Sequence, residues 1–296
     1  MNSKRKGIIL SGGLGSRLYP LTMGISKQLM PVYDKPMIYY PLSTLMLSGI
    51  NEILIITTKY DLNSFKRLLG DGSQWGIQLE YLIQEKPEGI AQAFLIAEDF
   101  IGLSNCALIL GDNLFHGQGF HDLLLKADTI EKGCSIFCYP VKDPERYGVI
   151  SFDEKGNPTS IDEKPAKPKT NHAVTGLYFY DNSVVDKAKK LKFSPRGELE
   201  ISTLNNMYLK EKQINIFRMS RGSAWLDTGT FDSLQDAGFY IKTLEKRQGL
   251  KICCPEEIAW RNNWIKDSEL EKISQHQIKS GYGKYLLELL NNTNAI

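Results

Sequence analysis

The sequence predicts an α/β protein: a doubly wound, mixed but mostly parallel sheet, a less regular second half, and a small helical segment at the C-terminal end. Three observations carry this prediction. From Gly7 to Leu110, buried-strand and helix patterns alternate as β-α-β-α-β-α-β, an order that builds a parallel sheet with helices on both faces. A glycine-rich turn, Ser11-Gly12-Gly13-Leu14-Gly15-Ser16-Arg17, directly follows the first strand. Polar and charged clusters follow later strands, and in such sheets ligands bind beyond the carboxyl ends of the strands.

The first strand is the apolar run Gly7-Ile8-Ile9-Leu10. Residues 36–49 form a helix whose prolines sit at its start and whose stop is Gly49. Residues 53–58 are a buried strand, 62–69 a short helix, 79–84 an alternating strand, 90–100 a helix and 107–110 another buried strand. Strands follow at 135–141, after 143–150, at 173–180 and at 214–219. Helices are predicted over 182–191, 198–212 and 231–248. A core of 1–249 is therefore expected. Residues 250–296 add amphipathic helices over about 267–275 and 282–290, too small to bury themselves, which dock on the core or on another subunit.

The 296 residues are 42% hydrophobic and 24% charged, ordinary values for a soluble globular chain. A net charge of +2 argues against a nucleic-acid binder. No apolar run approaches the ~20 residues of a membrane span. Five cysteines without a CxxC pattern read as reduced thiols in a cytoplasmic protein. The four histidines show no zinc spacing.

The glycine turn lets backbone N–H groups approach phosphate oxygens closely, and Arg17 and Lys27 look like charges aimed at a polyphosphate. No Lys-Ser or Lys-Thr follows, as a P-loop requires, and Leu18 breaks the GxGxxG spacing of a dinucleotide site. Asp112 ends a buried strand. It suits a Mg²⁺ ligand, and equally an Asx-turn or a cap on a following helix. Asp227 is a second carboxylate at the end of a short apolar run, and Lys164 follows Glu163 at another strand end. A rim gathering Gly12, Gly13, Gly15, Arg17, Lys27, Asp112, Lys164 and Asp227 suits nucleotidyl transfer by positioning and charge neutralisation, with no protein nucleophile.

The stretches GGLGSRLYPLT, SKQLMPVYDKPMIYYPLSTLMLSGI, LGDNLF, DPERYGV, VTGLYFYD, SPRGELEI, AWLDTGT and CPEEIA resemble, nearly end to end, the sugar-phosphate nucleotidyltransferases, and among them the short glucose-1-phosphate thymidylyltransferases. The resemblance implies a Rossmann-like nucleotidyltransferase fold, with a nucleotide-binding half over about 1–115 and a sugar-binding half over about 116–249. It implies transfer of dTMP from dTTP to glucose 1-phosphate with Mg²⁺ held by Asp112 and Asp227. Arg17 and Lys27 would face the triphosphate, and Lys164 the sugar phosphate. Leu10, Gly12, Gln28, Gln84 and Gly89 fall at thymine and deoxyribose positions; Tyr147, Gly148, Glu163 and Val174 fall at sugar positions. The resemblance further implies a homotetramer and a dTDP-sugar effector near Gly117, His121, Arg221, Glu257 and Ile258. Two departures stand out: Ser202-Thr203 replaces Thr-Asp, which bears on the sugar site, and His116 replaces a tyrosine. A uridylyl- or cytidylyltransferase, and a silent nucleotide-sugar sensor, are the rival readings.

Overall fold

The computed structural model describes residues 5–291. Its strands are β1 Lys6–Ser11, β2 Pro31–Val32, β3 Lys35–Pro36, β4 Glu52–Thr57, β5 Gln78–Ile83, β6 Cys106–Leu110, β7 Asn113–His116, β8 Cys134–Pro140, β9 Gly148–Phe152, β10 Pro158–Glu163, β11 His172–Tyr180, β12 Ile214–Arg218 and β13 Ala224–Asp227. Its α-helices are α1 Tyr39–Leu47, α2 Leu62–Leu69, α3 Gln92–Ile96, α4 Glu98–Ile101, α5 Phe120–Asp128, α6 Val184–Ala188, α7 Ile201–Lys210, α8 Phe231–Gln248, α9 Pro255–Arg261, α10 Asp267–His276 and α11 Gly281–Asn291.

The main sheet runs β10-β9-β11-β6-β1-β4-β5, with β8 on β11 and β12 on β8. The pairs β5/β4, β4/β1 and β1/β6 are parallel, as the alternation of elements demands. Strand β11 runs antiparallel to β6, β8 and β9, and β9 to β10, whereas β12 returns parallel to β8. Tyr178, Phe179 and Tyr180 pair with β6 on one side and β8 on the other. The mixed, doubly wound sheet agrees with the sequence.

Both faces of the parallel part are covered, which is why its strands read as unbroken apolar runs. Ile9, Ile53, Ile55 and Ile109 point to one face, against Leu42, Leu45 and Met46 of α1 and Phe65 of α2. Ile8, Leu54, Ile56 and Leu108 point to the other, against Phe94, Ile101, Leu204 and Tyr208. A third cluster joins Val32, Tyr40 and Leu114 to Ala237 and Ile241 of α8.

The C-terminal helices dock on their own chain. Ile258, Leu270, Tyr282 and Leu286 join the cluster that α1 faces. Ionic contacts pin the join: Lys35 Nζ lies 2.8 Å from Glu245 and 2.6 Å from Asp34, and Lys251 pairs with the same two carboxylates.

Several expected elements differ. The helix expected from residue 36 begins at Tyr39, and that over 90–100 is divided at Ala97 into α3 and α4. The helix expected from residue 198 begins at Ile201. Helix α5 was not anticipated, although Phe120, Leu124 and Ala127 recur at helical spacing and are buried. After Asp112 the chain continues as strand β7, so this aspartate caps no helix. The glycine turn leads into three short 3-10 turns at 16–18, 21–23 and 27–29, not into an α-helix.

Candidate active site

The site forms where β1 and β6 end. Gly111 N–H donates to the Leu10 carbonyl at 2.9 Å, locking the exit of β6 against that of β1. A side chain at Gly111 would strike Ser11 Oγ at 2.2 Å and Gln28 Cγ at 3.0 Å. Asp112 is thereby held beside the segment carrying Lys27. Lys27 Nζ donates to Asp112 Oδ2 at 2.5 Å, and Lys27 is only 6% exposed.

Asp227 arrives from the far end of the chain. Strand β13 pairs antiparallel with β7, with Asp227 opposite Asn113 and Ala224 opposite His116. Thr228 Oγ1, fully buried, donates to the Asp112 carbonyl at 3.0 Å and fastens the two ends. Asn113 orients the first of these carboxylates: its Nδ2 donates to Asp112 Oδ1 at 2.9 Å. Its own Oδ1 accepts from Trp225 Nε1 at 2.6 Å and from the Gly176 N–H at 3.1 Å.

The carboxyls respond oppositely. Burial pushes Asp112 up, but the Lys27 charge and hydrogen bonds from Lys27 and Asn113 hold it below the ordinary carboxylate value. Asp227 is raised by burial and then by the charge of Asp112, against Lys27, Arg17 and Arg146. Arg17 stands near it: a Cβ at Gly229 would lie 3.1 Å from Asp227 Oδ1 and 3.4 Å from Arg17 Nη1. Among the described residues no group of three or more His, Cys, Asp or Glu gathers as a ready-made metal cage. Two close carboxylates with a raised member suit a hard divalent cation whose remaining ligands are water or substrate oxygens.

Beside this pair opens a cleft of about 190 Å³. Arg17, Asp112, Asp227, Tyr147, Gly148, Glu163, Lys164 and Val174 all line it. Lys164 directly follows β10 with φ 40° and donates its N–H to the Tyr147 carbonyl at 3.0 Å. On the other flank, Gln84 lies against Gly12, where a Cβ would come within 1.9 Å of Gln84 Oε1. Gln84 Nε2 donates to Gln92 Oε1 at 2.6 Å, and Gln28 accepts from Ser26 Oγ at 2.8 Å. Gly89, at φ 102°, passes 2.5 Å (as a Cβ would) from the Leu199 carbonyl oxygen, so only glycine fits. Gly13 is open on all sides and Gly15 adopts φ 62° beside Thr22. A wider groove of about 830 Å³ outside the loop touches Gly13 but none of Arg17, Lys27, Asp112, Lys164 or Asp227.

Residues 6–243 match the family model described as Nucleotidyl transferase. The chain is 56% identical over 285 residues to a glucose-1-phosphate thymidylyltransferase of Neisseria meningitidis, covering 96% of this chain and 99% of that protein. It is 54% identical over 285 residues, 96% of this chain and 99% of that protein, to one of Mycobacterium tuberculosis. The chain belongs to the glucose-1-phosphate thymidylyltransferase family. A Bacillus anthracis crystal structure described as such a thymidylyltransferase, in complex with a sucrose, matches with TM-score 0.74 and 42% identity, over 80% of this chain and 94% of that one. A UDP-glucose pyrophosphorylase complexed with UDP-glucose shares the fold, at TM-score 0.70 and 22% identity over 82% of this chain and 100% of that one.

Within this thymidylyltransferase family member, the predicted second-site residues lie away from the cleft. Gly117, at φ 148°, packs so closely on Ser223 that a Cβ would sit 2.7 Å from its Cα. His121 and Arg221 are exposed, and Ile258 is buried in the core. Glu257 accepts from Arg261 Nε at 2.8 Å and from the Tyr285 hydroxyl. His116 Nδ1 lies 3.0 Å from the Tyr240 hydroxyl.

The Ser202-Thr203 departure resolves simply. Ser202 lines the cleft and its hydroxyl donates to Glu163 Oε2, whereas Thr203 is exposed and outside the lining. Thr203 thus forms no part of the cleft wall. Asn113, Arg146, Arg196 and Trp225 were not singled out from sequence. Trp225 immediately precedes Leu226-Asp227 in a four-residue strand, and Arg196 reaches within 3.5 Å of both Glu163 and Glu200. Adjacency to Asp112 was the available signal for Asn113.

Proposed function

We propose that the cleft transfers dTMP from dTTP to α-D-glucose 1-phosphate, giving dTDP-glucose and pyrophosphate. The observation that carries this reading is the meeting of Asp112, Asp227 and Arg17 in the lining of the same cleft as Glu163 and Lys164. Membership of the family supports the substrates.

Gly12, Gly13 and Gly15, with Leu10, Gln28, Gln84 and Gly89, receive the nucleotide. The Gln84 and Gln28 amides, both 5% exposed, are pre-oriented to read the base by Gln92 and Ser26. Arg17 and Lys27 neutralise the triphosphate and the departing pyrophosphate, which lowers the cost of bringing two anions together. Glu163, held by Ser202, accepts from sugar hydroxyls, with Tyr147, Gly148 and Val174 shaping the sugar pocket. Lys164 holds the sugar phosphate. Its oxygen attacks the α-phosphorus in line, and the bond to the β,γ-pyrophosphate breaks. When bound at Asp112 and Asp227, Mg²⁺ supplies electrostatic stabilisation of the reacting phosphates. The geometry needs no covalent intermediate on the protein.

We further read the enzyme as cytoplasmic and homotetrameric, serving dTDP-L-rhamnose and related deoxysugar synthesis. A dTDP-sugar effector would act near Gly117, His121, Arg221, Glu257 and Ile258. No helix among the described residues is long and apolar enough to cross a membrane. A pyrophosphate-release assay with glucose 1-phosphate across dTTP, UTP, CTP, ATP and GTP, with and without Mg²⁺, tests the reading. Preference for UTP by orders of magnitude, or full activity without divalent metal, overturns it.

A further inference from the structure

The motif Asp143-Pro144-Glu145-Arg146-Tyr147-Gly148 contributes Tyr147 and Gly148 to the cleft, but Arg146 has no assigned role. Its position is unusual. One guanidinium nitrogen, Nη1, donates to Asp143 Oδ2 at 2.6 Å, three residues back across a 3-10 turn. The other, Nη2, lies 3.7 Å from Asp227 Oδ2. The group also sits over the Tyr147 ring, with Cζ 5.3 Å from the centroid.

Both carboxylates proposed to hold the metal are thus faced by a cation of the protein: Asp112 by Lys27 at 2.5 Å, Asp227 by Arg146 at 3.7 Å. The two contacts differ in kind. Lys27 is buried and hydrogen-bonded. The Arg146 side chain is 37% exposed and its contact with Asp227 is longer than a hydrogen bond. An exposed, long ion pair of this kind is weak in water. Asp143 is the firmer anchor, so the guanidinium keeps its place when Asp227 takes another partner.

Resting on the metal reading above, we propose that Arg146 is a substrate-binding residue that exchanges partners. Without metal it neutralises Asp227. With metal on Asp227 it stays tethered by Asp143 and turns its charge to the phosphate of glucose 1-phosphate, alongside Lys164. The cleft lining supports the second half, since Arg146 shares it with Lys164, Glu163, Tyr147 and Gly148. Tyr147 serves as the shelf: its ring centroid lies 5.3 Å from the guanidinium carbon and 5.0 Å from the ring centroid of Trp225. A planar guanidinium resting against a ring and held at one edge keeps its orientation, which a lysine ammonium would not.

The two roles have opposite signs, and that separates them from a structural one. Mn²⁺ binding to the nucleotide-free full-length protein is measured by electron paramagnetic resonance of the free ion, and KM for glucose 1-phosphate by pyrophosphate release. Arg146→Ala should bind Mn²⁺ several-fold more tightly than the parent, because a competitor for Asp227 is gone, while KM for glucose 1-phosphate rises about tenfold. Asp143→Asn loosens the tether, leaving the guanidinium to Asp227: Mn²⁺ binding weakens and KM rises again. Arg146→Lys should raise KM while leaving Mn²⁺ affinity near the parent value. Unchanged or weaker Mn²⁺ binding in Arg146→Ala, or an unchanged KM for glucose 1-phosphate, overturns the proposal. Asp227→Asn is the control for the underlying reading. If it leaves Mn²⁺ binding intact, the metal assignment itself fails and takes this exchange with it; if it abolishes binding while Arg146→Ala has no effect, only the exchange fails.

Discussion

Asn113 stands opposite Asp227 in the β7–β13 register while its amide nitrogen holds Asp112 at 2.9 Å. One residue therefore sets the relation between two carboxylates that come from distant parts of the chain. Its carbonyl oxygen is fixed by Trp225 and by the Gly176 N–H. Asn113→Ala removes an acceptor from two buried donors and a donor from Asp112, at a cost of about 1–3 kcal/mol. Urea unfolding should show that loss, and kcat should fall with it. Asn113→Asp should be worse, adding a third negative charge to the pair. Unaltered unfolding of Asn113→Ala would contradict the orienting role.

The carboxyls predict opposite stability changes from the same kind of substitution. An acid held below its ordinary value stabilises the fold above that value, and the contribution disappears as pH falls through its lowered folded value. Asp112→Asn should therefore lower Tm at pH 7. An acid raised above its ordinary value costs stability at neutral pH, and the cost is relieved as pH falls below its raised folded value. Asp227→Asn should raise Tm of the metal-free protein at pH 7, with the gain gone below the ordinary value of 3.8. Both variants should lose at least about 10²-fold in kcat. Differential scanning fluorimetry from about pH 2.5 to about pH 8, a window that extends below the ordinary carboxylate value, reads the signs.

Much of this was legible in the sequence, for reasons that vary by element. The parallel strands were plain because burial on both faces leaves unbroken runs such as Ile53-Leu54-Ile55-Ile56. Asp112, Arg17 and Lys27 were visible because they follow strands whose ends must face one rim. Strand β7 was not, because its four residues lie between Asp112 and a glycine-rich turn, and its partner is more than a hundred residues away. Without that pairing the Asp112 cap reading could not be dismissed. Trp225 and Arg146 act through contacts made only by the tertiary fold, so no local pattern marks them.

Two glycines offer a contrast in mechanism. At Gly89 a Cβ meets the backbone of Leu199 and the φ of 102° is strained for other residues. Gly89→Ala should cost about 1–3 kcal/mol or more. At Gly12 the obstacle is the end of the Gln84 side chain. Gly12→Ala should cost less stability than Gly89→Ala and raise KM for dTTP, because Gln84, which we propose lies beside the base, must move. Thermal melts and steady-state kinetics on both variants distinguish the two effects; equal stability losses would refute the contrast.

The contact of Lys35 with Glu245 is a separate test, of stability alone. Both side chains are under 5% exposed. Lys35→Met leaves Asp34 and Glu245 to Lys251 alone among the described ion pairs, and should cost about 3 kcal/mol. Adding Glu245→Leu should recover part of that loss, since paired apolar replacements remove the uncompensated charge. Chemical unfolding of the single and double variants reports both outcomes.

The β7–β13 ribbon also joins a segment synthesised in the first half of the chain to one synthesised late. Asp112 leaves the ribosome with the first half of the chain, whereas Asp227 and its strand emerge only near the end of the nucleotidyl transferase region. A nascent or prematurely terminated chain can carry the glycine loop, Arg17 and Lys27, yet it lacks the second carboxylate and the strand that steadies Asn113. A chain that ends before Ala224 therefore lacks both β13 and Asp227, however much of the glycine loop it retains.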